Sequence, residues 1–171
     1  MFFIEQLEFA LYNKKAKKHY KAALRMLSDY FDEIFADQPE ENIPKKYLPN
    51  ILGIVGDETK AYTIWMYLCF CGKTPVGFVM AQIDTQENPL CKREGWGFIR
   101  EFYVAPAYRR KDCGRQMCRF IENVIYTDGA QEIYLTASAE TATHFWEVME
   151  YVFSGEIDES NGNRVYEKRR G

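Results

Sequence analysis

Apolar residues recur at three- and four-residue steps over residues 14–35, at Tyr20, Ala23, Leu24, Leu27, Tyr30, Phe31, Ile34 and Phe35. That spacing matches the α-helical turn and predicts an amphipathic helix. Before it, residues 2–9 form a short apolar stretch that reads as an edge strand. After it, Pro39, Pro44 and Pro49 mark a loop, because proline interrupts both helix and sheet pairing. Residues 47–54 read as a second, short helix. From Tyr62 the pattern changes to strand-like runs. Residues 62–71 are almost continuously apolar, Cys71-Gly72-Lys73-Thr74-Pro75 reads as a turn, and residues 76–83 are the next run. The pair predicts an antiparallel hairpin. A polar loop at residues 84–95 leads to a third strand at 97–104. Residues 114–126 then carry Met117, Phe120, Ile121, Val124 and Ile125 on one helical face, with Gly129 as C-cap. A strand at 132–138 and a short helix at 140–149 follow. The chain ends with two strands, 151–157 and 164–168, joined through Asn161-Gly162, a strong hairpin turn signal.

The third strand, its helix and the next strand form a βαβ unit, so those two strands should be parallel. The remaining connections favour antiparallel pairing. The expected fold is therefore α/β (α+β): a mixed, mostly antiparallel central sheet of six to seven strands flanked by about four helices. The 171 residues suit a single domain over 1–171, with enough chain to bury its own core.

Charge narrows the function classes. The net charge is −3 and the pI about 5.5, which argues against nucleic acid as a general partner. Lys14, Lys15, Lys17, Lys18 and Lys21 nevertheless crowd the start of the first helix, and read most simply as a solvated face. No apolar run approaches the length needed to span a membrane. Met1-Phe2-Phe3-Ile4-Glu5 has no basic n-region, so no secretory signal is expected. The five cysteines, Cys69, Cys71, Cys91, Cys113 and Cys118, are odd in number. They read as free thiols of a reducing, cytoplasmic compartment. With His19 and His144 the only histidines, no metal site is expected.

The chemistry concentrates at residues 102–117. An apolar strand runs through Pro106 into Arg109-Arg110-Lys111-Asp112-Cys113-Gly114-Arg115, and a helix follows. A helix start offers unpaired N–H groups and a positive dipole end, which with flanking cations suits a phosphate.

Two motifs here resemble the GCN5-related N-acetyltransferase (GNAT) superfamily. The strand Ile99-Arg100-Glu101-Phe102-Tyr103-Val104-Ala105-Pro106 fits the family form I-x-x-L-x-V-x-P. The loop fits Arg/Gln-x-x-Gly-x-Gly/Ala at Arg109 and Gly114, and departs from it at Asp112. Ala142-Thr143-His144-Phe145-Trp146-Glu147-Val148-Met149-Glu150-Tyr151 loosely meets the second family signature, with Trp146 where Tyr is usual. The resemblance implies a GNAT-like sheet with a splayed parallel strand pair and acetyl-CoA as co-substrate. It also implies that the pyrophosphate lies on the N–H groups of Arg110, Lys111, Asp112, Cys113, Gly114 and Arg115, beside the charge of Arg109. Phe102, Tyr103 and Val104 would line the pantetheine arm. Thr136, Ala137 and Ser138 would face that arm, and Thr141, His144 and Phe145 would flank its outer part. Gly114 would allow close backbone approach, and Asp112 could cap the helix instead of facing the phosphates.

Acetyl transfer to an amine needs a neutral amine, a polarised thioester carbonyl and a protonated leaving thiolate. The Val104 N–H is the family-like group for the carbonyl. Strand alternation sets Phe102 and Val104 on one face and Glu101 and Tyr103 on the other, towards the N-terminal helices. Glu101 is thus the candidate base. His144 is the candidate acid, with Tyr103, Tyr151 and Tyr166 as alternatives, and Cys113 at a helix start is expected to have a lowered thiol pKa. The implied activity is N-acetyltransferase: acetyl transfer from acetyl-CoA to a primary amine of a small molecule or peptide, by direct attack in a ternary complex. Asp29, Asp32 and Glu33 hint at a cationic acceptor. The alternative is a non-catalytic acyl-CoA-binding or protein-interaction module, and a third reading is RNA binding through Lys14 to Lys21. The C-terminal hairpin is a candidate to extend the sheet across a homodimer.

Overall fold

A computed structural model describes residues 6–57, 59–138 and 140–171. The described residues form a seven-stranded mixed sheet with four α-helices. In chain order the elements are β1 (Glu8–Leu11), α1 (Lys17–Ile34), α2 (Leu48–Ile54), β2 (Trp65–Cys71) and β3 (Thr74–Ile83). They continue with β4 (Gly97–Val104), α3 (Cys113–Thr127), β5 (Glu132–Ala137), α4 (Glu140–Val148), β6 (Val152–Ile157) and β7 (Arg164–Arg169). The strand order is β1-β2-β3-β4-β5-β7-β6. β4 and β5 are parallel, with Gly97 beside Ile133 and Phe98 beside Tyr134. This is the arrangement the βαβ pattern predicts.

The chain divides into two compact units, the division falling inside β3 after Met80 and inside β4 after Arg100. The first unit holds β1, α1, α2, β2, most of β3 and residues 101–114. Its core gathers Met26, Leu27 and Phe31 of α1, Leu48 and Leu52 of α2, and Met66 and Leu68 of β2. Phe78 of β3 and Tyr103 of β4 complete it. Ala22, Ala23, Met26, Leu27 and Phe31 repeat at helical steps, so one stripe of α1 is buried. Ile34, expected on that stripe, is 51% exposed because the helix ends there. β1 pairs antiparallel with β2 from Glu8 beside Phe70 to Leu11 beside Tyr67. It begins later than the predicted edge strand, whose residues 2–5 lie outside the described residues.

The second unit holds the rest. α3 sets the fully buried Met117, Cys118, Ile121 and Ile125 inward. Gly97 is required by close approach: a Cβ there would lie 2.4 Å from Ile125 Cγ2. β5 pairs antiparallel with β7 along its whole length, and β6 closes the edge. The β6–β7 connection runs through Asn161-Gly162 over residues 158–163, as the sequence predicts. It is a six-residue loop closed by Asp158 N–H donating to the Asn163 carbonyl (2.8 Å), with Gly162 at φ 73° and a register shift between Phe153 and Ile157. The Asp158 side chain organises the loop. It accepts from Ser160 N–H and Oγ (2.9 and 2.6 Å), an Asx-type turn.

Candidate active site

β4 leaves the sheet at Val104. The Ala105 N–H donates to the Val76 carbonyl at 2.8 Å, and Pro106–Tyr108 make one 3-10 turn. The chain then passes through two left-handed residues, Arg110 at φ 59° and Asp112 at φ 67°, before α3 starts at Cys113. Left-handed residues interrupting right-handed or extended backbone turn successive N–H groups into a common concavity, which is an anion-binding geometry. The conformation also explains Asp112. The family's glycine suits φ above zero, and aspartate is among the few side chains that tolerate it. Arg110 and Lys111 are exposed on this loop, and the 15-residue α3 directs its positive dipole end at the same place.

Arg109 does something different from its neighbours. Its Nε donates to the Val104 carbonyl (2.8 Å), one terminal nitrogen pairs with Glu33 of α1 (2.7 Å), and the guanidinium sits 5.9 Å from the Tyr103 ring centre. It ties the strand end to α1. The Cys113 thiol is shifted opposite to the sequence expectation. Burial pushes it up and the Asp112 carboxylate adds to the effect, against a smaller pull from Lys111. Helix-start activation of a thiol requires a solvated, electropositive setting, and Cys113 is buried.

Glu101 faces α1, as strand alternation predicts. Its carboxylate accepts a hydrogen bond from the Tyr30 hydroxyl, a residue 71 positions away. Tyr30 packs 5.8 Å from the Tyr103 ring and edge-on to Phe78 at 5.4 Å. The Tyr30 phenol is held well above its ordinary pKa by burial first, then by the Glu101 charge and hydrogen bond, with the Phe102 N–H opposing. Tyr30 therefore stays protonated and remains a donor to Glu101. Tyr103 is also raised, by burial and by the charges of Asp29 and Glu33, against Arg109 and Arg25. Phe102 and Val104 are part-buried on the same strand.

The other residues singled out in the sequence lie in the second unit. Thr136 is part-buried, Ala137 buried and Ser138 exposed at the end of β5, while Thr141 and His144 are exposed on α4. Trp146 is a core residue, with Phe145 at 4.9 Å and Tyr151 at 5.2 Å between ring centres. Tyr151 donates to Glu122 at 2.9 Å, and Lys168 binds the same carboxylate at 2.9 Å. Burial, with Cys118 and Glu122 beside it, drives the Tyr151 phenol far up. Its hydroxyl is buried and engaged by Glu122. This unit also holds a cavity of about 520 Å³, lined in part by Thr136, Tyr134 and residues 156–160. Its rim is clamped by Lys92 on Asp158 and by Arg93 on Glu167 (2.8 Å) and Glu156 (3.0 Å).

Sequence reasoning missed Tyr30 as a site residue. Helical spacing marked it as core, and no local signal announces a partner on a distant strand. It also missed the Glu33–Arg109 tie, for the same reason.

The family model described as Acetyltransferase (GNAT) family matches residues 21–151. No curated protein sequence matches the chain. Among solved structures, an acetyltransferase from Thermus thermophilus superposes with TM-score 0.72 at 15% identity, over 97% of this chain and 98% of that one. The PaiA N-acetyltransferase from Thermoplasma acidophilum, in complex with coenzyme A, gives 0.66 at 13% identity, over 96% and 99%. An aminoglycoside 6'-N-acetyltransferase complexed with coenzyme A gives 0.68 at 13% identity, over 95% and 96%.

Proposed function

The chain belongs to the GNAT acetyltransferase family, and we propose that it transfers an acetyl group from acetyl-CoA to a primary amine of a small molecule or peptide, by direct attack within a ternary complex. The observation that carries this reading is the loop from Arg109 to α3. Two left-handed residues, exposed cations and a helix start follow one another there within residues 109–114, an arrangement that suits an anion. These residues fit a pyrophosphate. The N–H groups of Arg110 to Arg115 would hold it, with Arg110 and Lys111 supplying charge and Gly114 allowing close approach. Arg109 is a positioning residue that fixes the strand end, because its guanidinium is already engaged by Val104 and Glu33.

Acetyl-CoA supplies an activated thioester. The protein's own contribution is proton control and orientation. Glu101 accepts a proton from the attacking amine as the N–C bond forms and the C–S bond breaks. Tyr30 donates to Glu101 and keeps that carboxylate in its charged, proton-accepting form. The Val104 N–H is the proposed donor to the carbonyl oxygen. The leaving thiolate takes its proton from solvent or from Tyr103, whose raised pKa keeps it protonated. His144 is the weaker candidate, being exposed on α4.

One observation favours a second reading, a non-catalytic CoA-binding module: Trp146, at the usual Tyr position, is built into the core. Calorimetric titration with acetyl-CoA, followed by thiol release against a panel of amines, separates the two. Binding with release supports the transferase, binding without release for any amine supports the module, and absence of binding removes both. Gly114→Trp should abolish CoA binding. Glu101→Gln should lower kcat about 100-fold with CoA affinity unchanged, a loss typical of removing a general base.

A further inference from the structure

The charges of α1 are unevenly satisfied. Asp29 is exposed without an ion pair among the described residues, but the other two acids of the helix are engaged within the chain: Asp32 by Lys45 at 2.6 Å and Glu33 by Arg109 at 2.7 Å. Its bases near the N-terminal end are not. Among the described residues Lys17, Lys18, Lys21 and Arg25 form no ion pair, and all four are exposed. Their placement opposes local physics twice. The first turn of α1 holds no acid, and Lys17 and Lys18 stand at the positive end of the helix dipole. Lys17–Lys21 and Lys21–Arg25 are like-charge pairs at four-residue spacing, which weakens a helix. An unfavourable arrangement of this kind is relieved by a bound anion.

A groove provides the place. Lys18, Lys21 and Arg25 line a concavity of about 250 Å³ whose floor is apolar: Ala22, Phe70 and Pro75. The stripe continues along α1 to Asp29 and Glu33, whose charges bear with that of Arg25 on Tyr103 beside Glu101. We infer that the N-terminal half of α1 is an acceptor-recognition groove for an acidic peptide, which delivers the peptide's N-terminal amine to the Glu101 site. This rests on the acetyl-transfer reading.

The spacing fits an extended peptide. Alternate side chains of such a chain stand about 6.6–6.8 Å apart. Lys21 and Arg25 are about 6 Å apart along the helix axis. The residue between two acids points the other way, and a neighbouring apolar side chain can meet the Phe70 and Pro75 floor. Arg25 precedes Tyr30 by five residues, about 7.5 Å of helix, so an amine two to four residues ahead of the acids reaches Glu101. Nucleic acid is disfavoured, because Phe70 is the single aromatic ring among the residues lining the concavity, too few to stack successive bases. The net charge of −3 also repels a long polyanion.

The test uses a C-terminally labelled hexapeptide with a free N terminus and glutamate at its fourth and sixth positions. Its glutamine counterpart and a single-stranded oligonucleotide of equal charge are the comparisons. Fluorescence anisotropy should show the glutamate peptide binding about tenfold or more tighter than the glutamine one. The triple variant K18E/K21E/R25E should lose that margin, while the control K46E/R119E, made at exposed positions elsewhere, retains most of it. Equal binding of the two peptides, no loss in the triple variant, or tighter binding of the oligonucleotide overturns the proposal. Thiol release from acetyl-CoA separates the two readings. The triple variant should raise KM for the glutamate peptide and leave kcat unchanged. Turnover of simple amines without peptide selectivity sinks the groove and leaves the transferase standing. Peptide binding without release for any amine sinks the transferase and the delivery role with it, leaving the groove a binding surface only.

Discussion

At the scale of single residues, the site turns on side chains whose neighbours were set by distant parts of the chain. Asp112 occupies a left-handed position that glycine would fill without a charge. Asp112→Gly should therefore tighten CoA binding about three- to tenfold, measured by calorimetry, by removing a carboxylate from beside the proposed pyrophosphate. Asp112→Val should instead destabilise the protein, because a branched side chain is strained at φ 67°. Tyr30→Phe deletes the donor to Glu101. A carboxylate that loses a hydrogen bond to its charged form is harder to ionise, so the acidic limb of the kcat/KM profile should move to higher pH. An unmoved limb would make Tyr30 a packing residue only. The strand-and-loop motif that points to Glu101 and Arg110 to Gly114 is written in consecutive residues, and it was legible from sequence. Tyr30 was not, because its role exists only where α1 meets β4, and Cys113 was misjudged because a helix start says nothing about burial.

Among the elements, the periodic patterns located the strands and helices after β1 within a few residues, while β1 begins at Glu8, later than the predicted edge strand. β4 matches its predicted bounds, 97–104, since apolar alternation and Pro106 fix both ends. Patterning could not specify how closely elements approach. Gly97 lies under α3 with no room for a methyl group. Gly97→Ala should cost about 1–3 kcal/mol in chemical denaturation, the usual range for overpacking a filled core. The β6–β7 loop shows the opposite limit. Asn161-Gly162 marked the connection, but no local signal showed that Asp158 binds Ser160 within it and the distant Lys92. Asp158 is nearly buried, which raises its carboxyl, yet hydrogen bonds from Lys92 and Ser160 outweigh burial and hold it below the ordinary value. A depressed carboxylate stabilises the fold above its unfolded pKa and loses that contribution as pH falls through the folded value. Asp158→Asn should lower Tm at pH 7, and the difference should shrink as pH falls below the ordinary carboxylate range.

For the whole molecule, buried phenols set the alkaline limit. Tyr30, Tyr134 and Tyr151 are raised by burial and by the carboxylates they donate to, and Tyr126 is pushed to about 12. Unfolded tyrosine ionises near pH 10 while these stay protonated, so stability should fall progressively as pH rises above about 10. A pH series of denaturation curves on Tyr151→Phe should fall less steeply there than the parent. Sequence alone determined the element order, the βαβ unit and its parallel strands, and the basic strand–loop–helix motif, because each is encoded in short-range periodicity and in turn chemistry. Only the tertiary structure decided that Tyr30 serves Glu101, that Arg109 is tied to Glu33, and that Trp146 is core. It also decided which charges of α1 remain unsatisfied. Partners of that kind are fixed by packing between residues far apart in the chain, and a one-dimensional pattern carries no record of them.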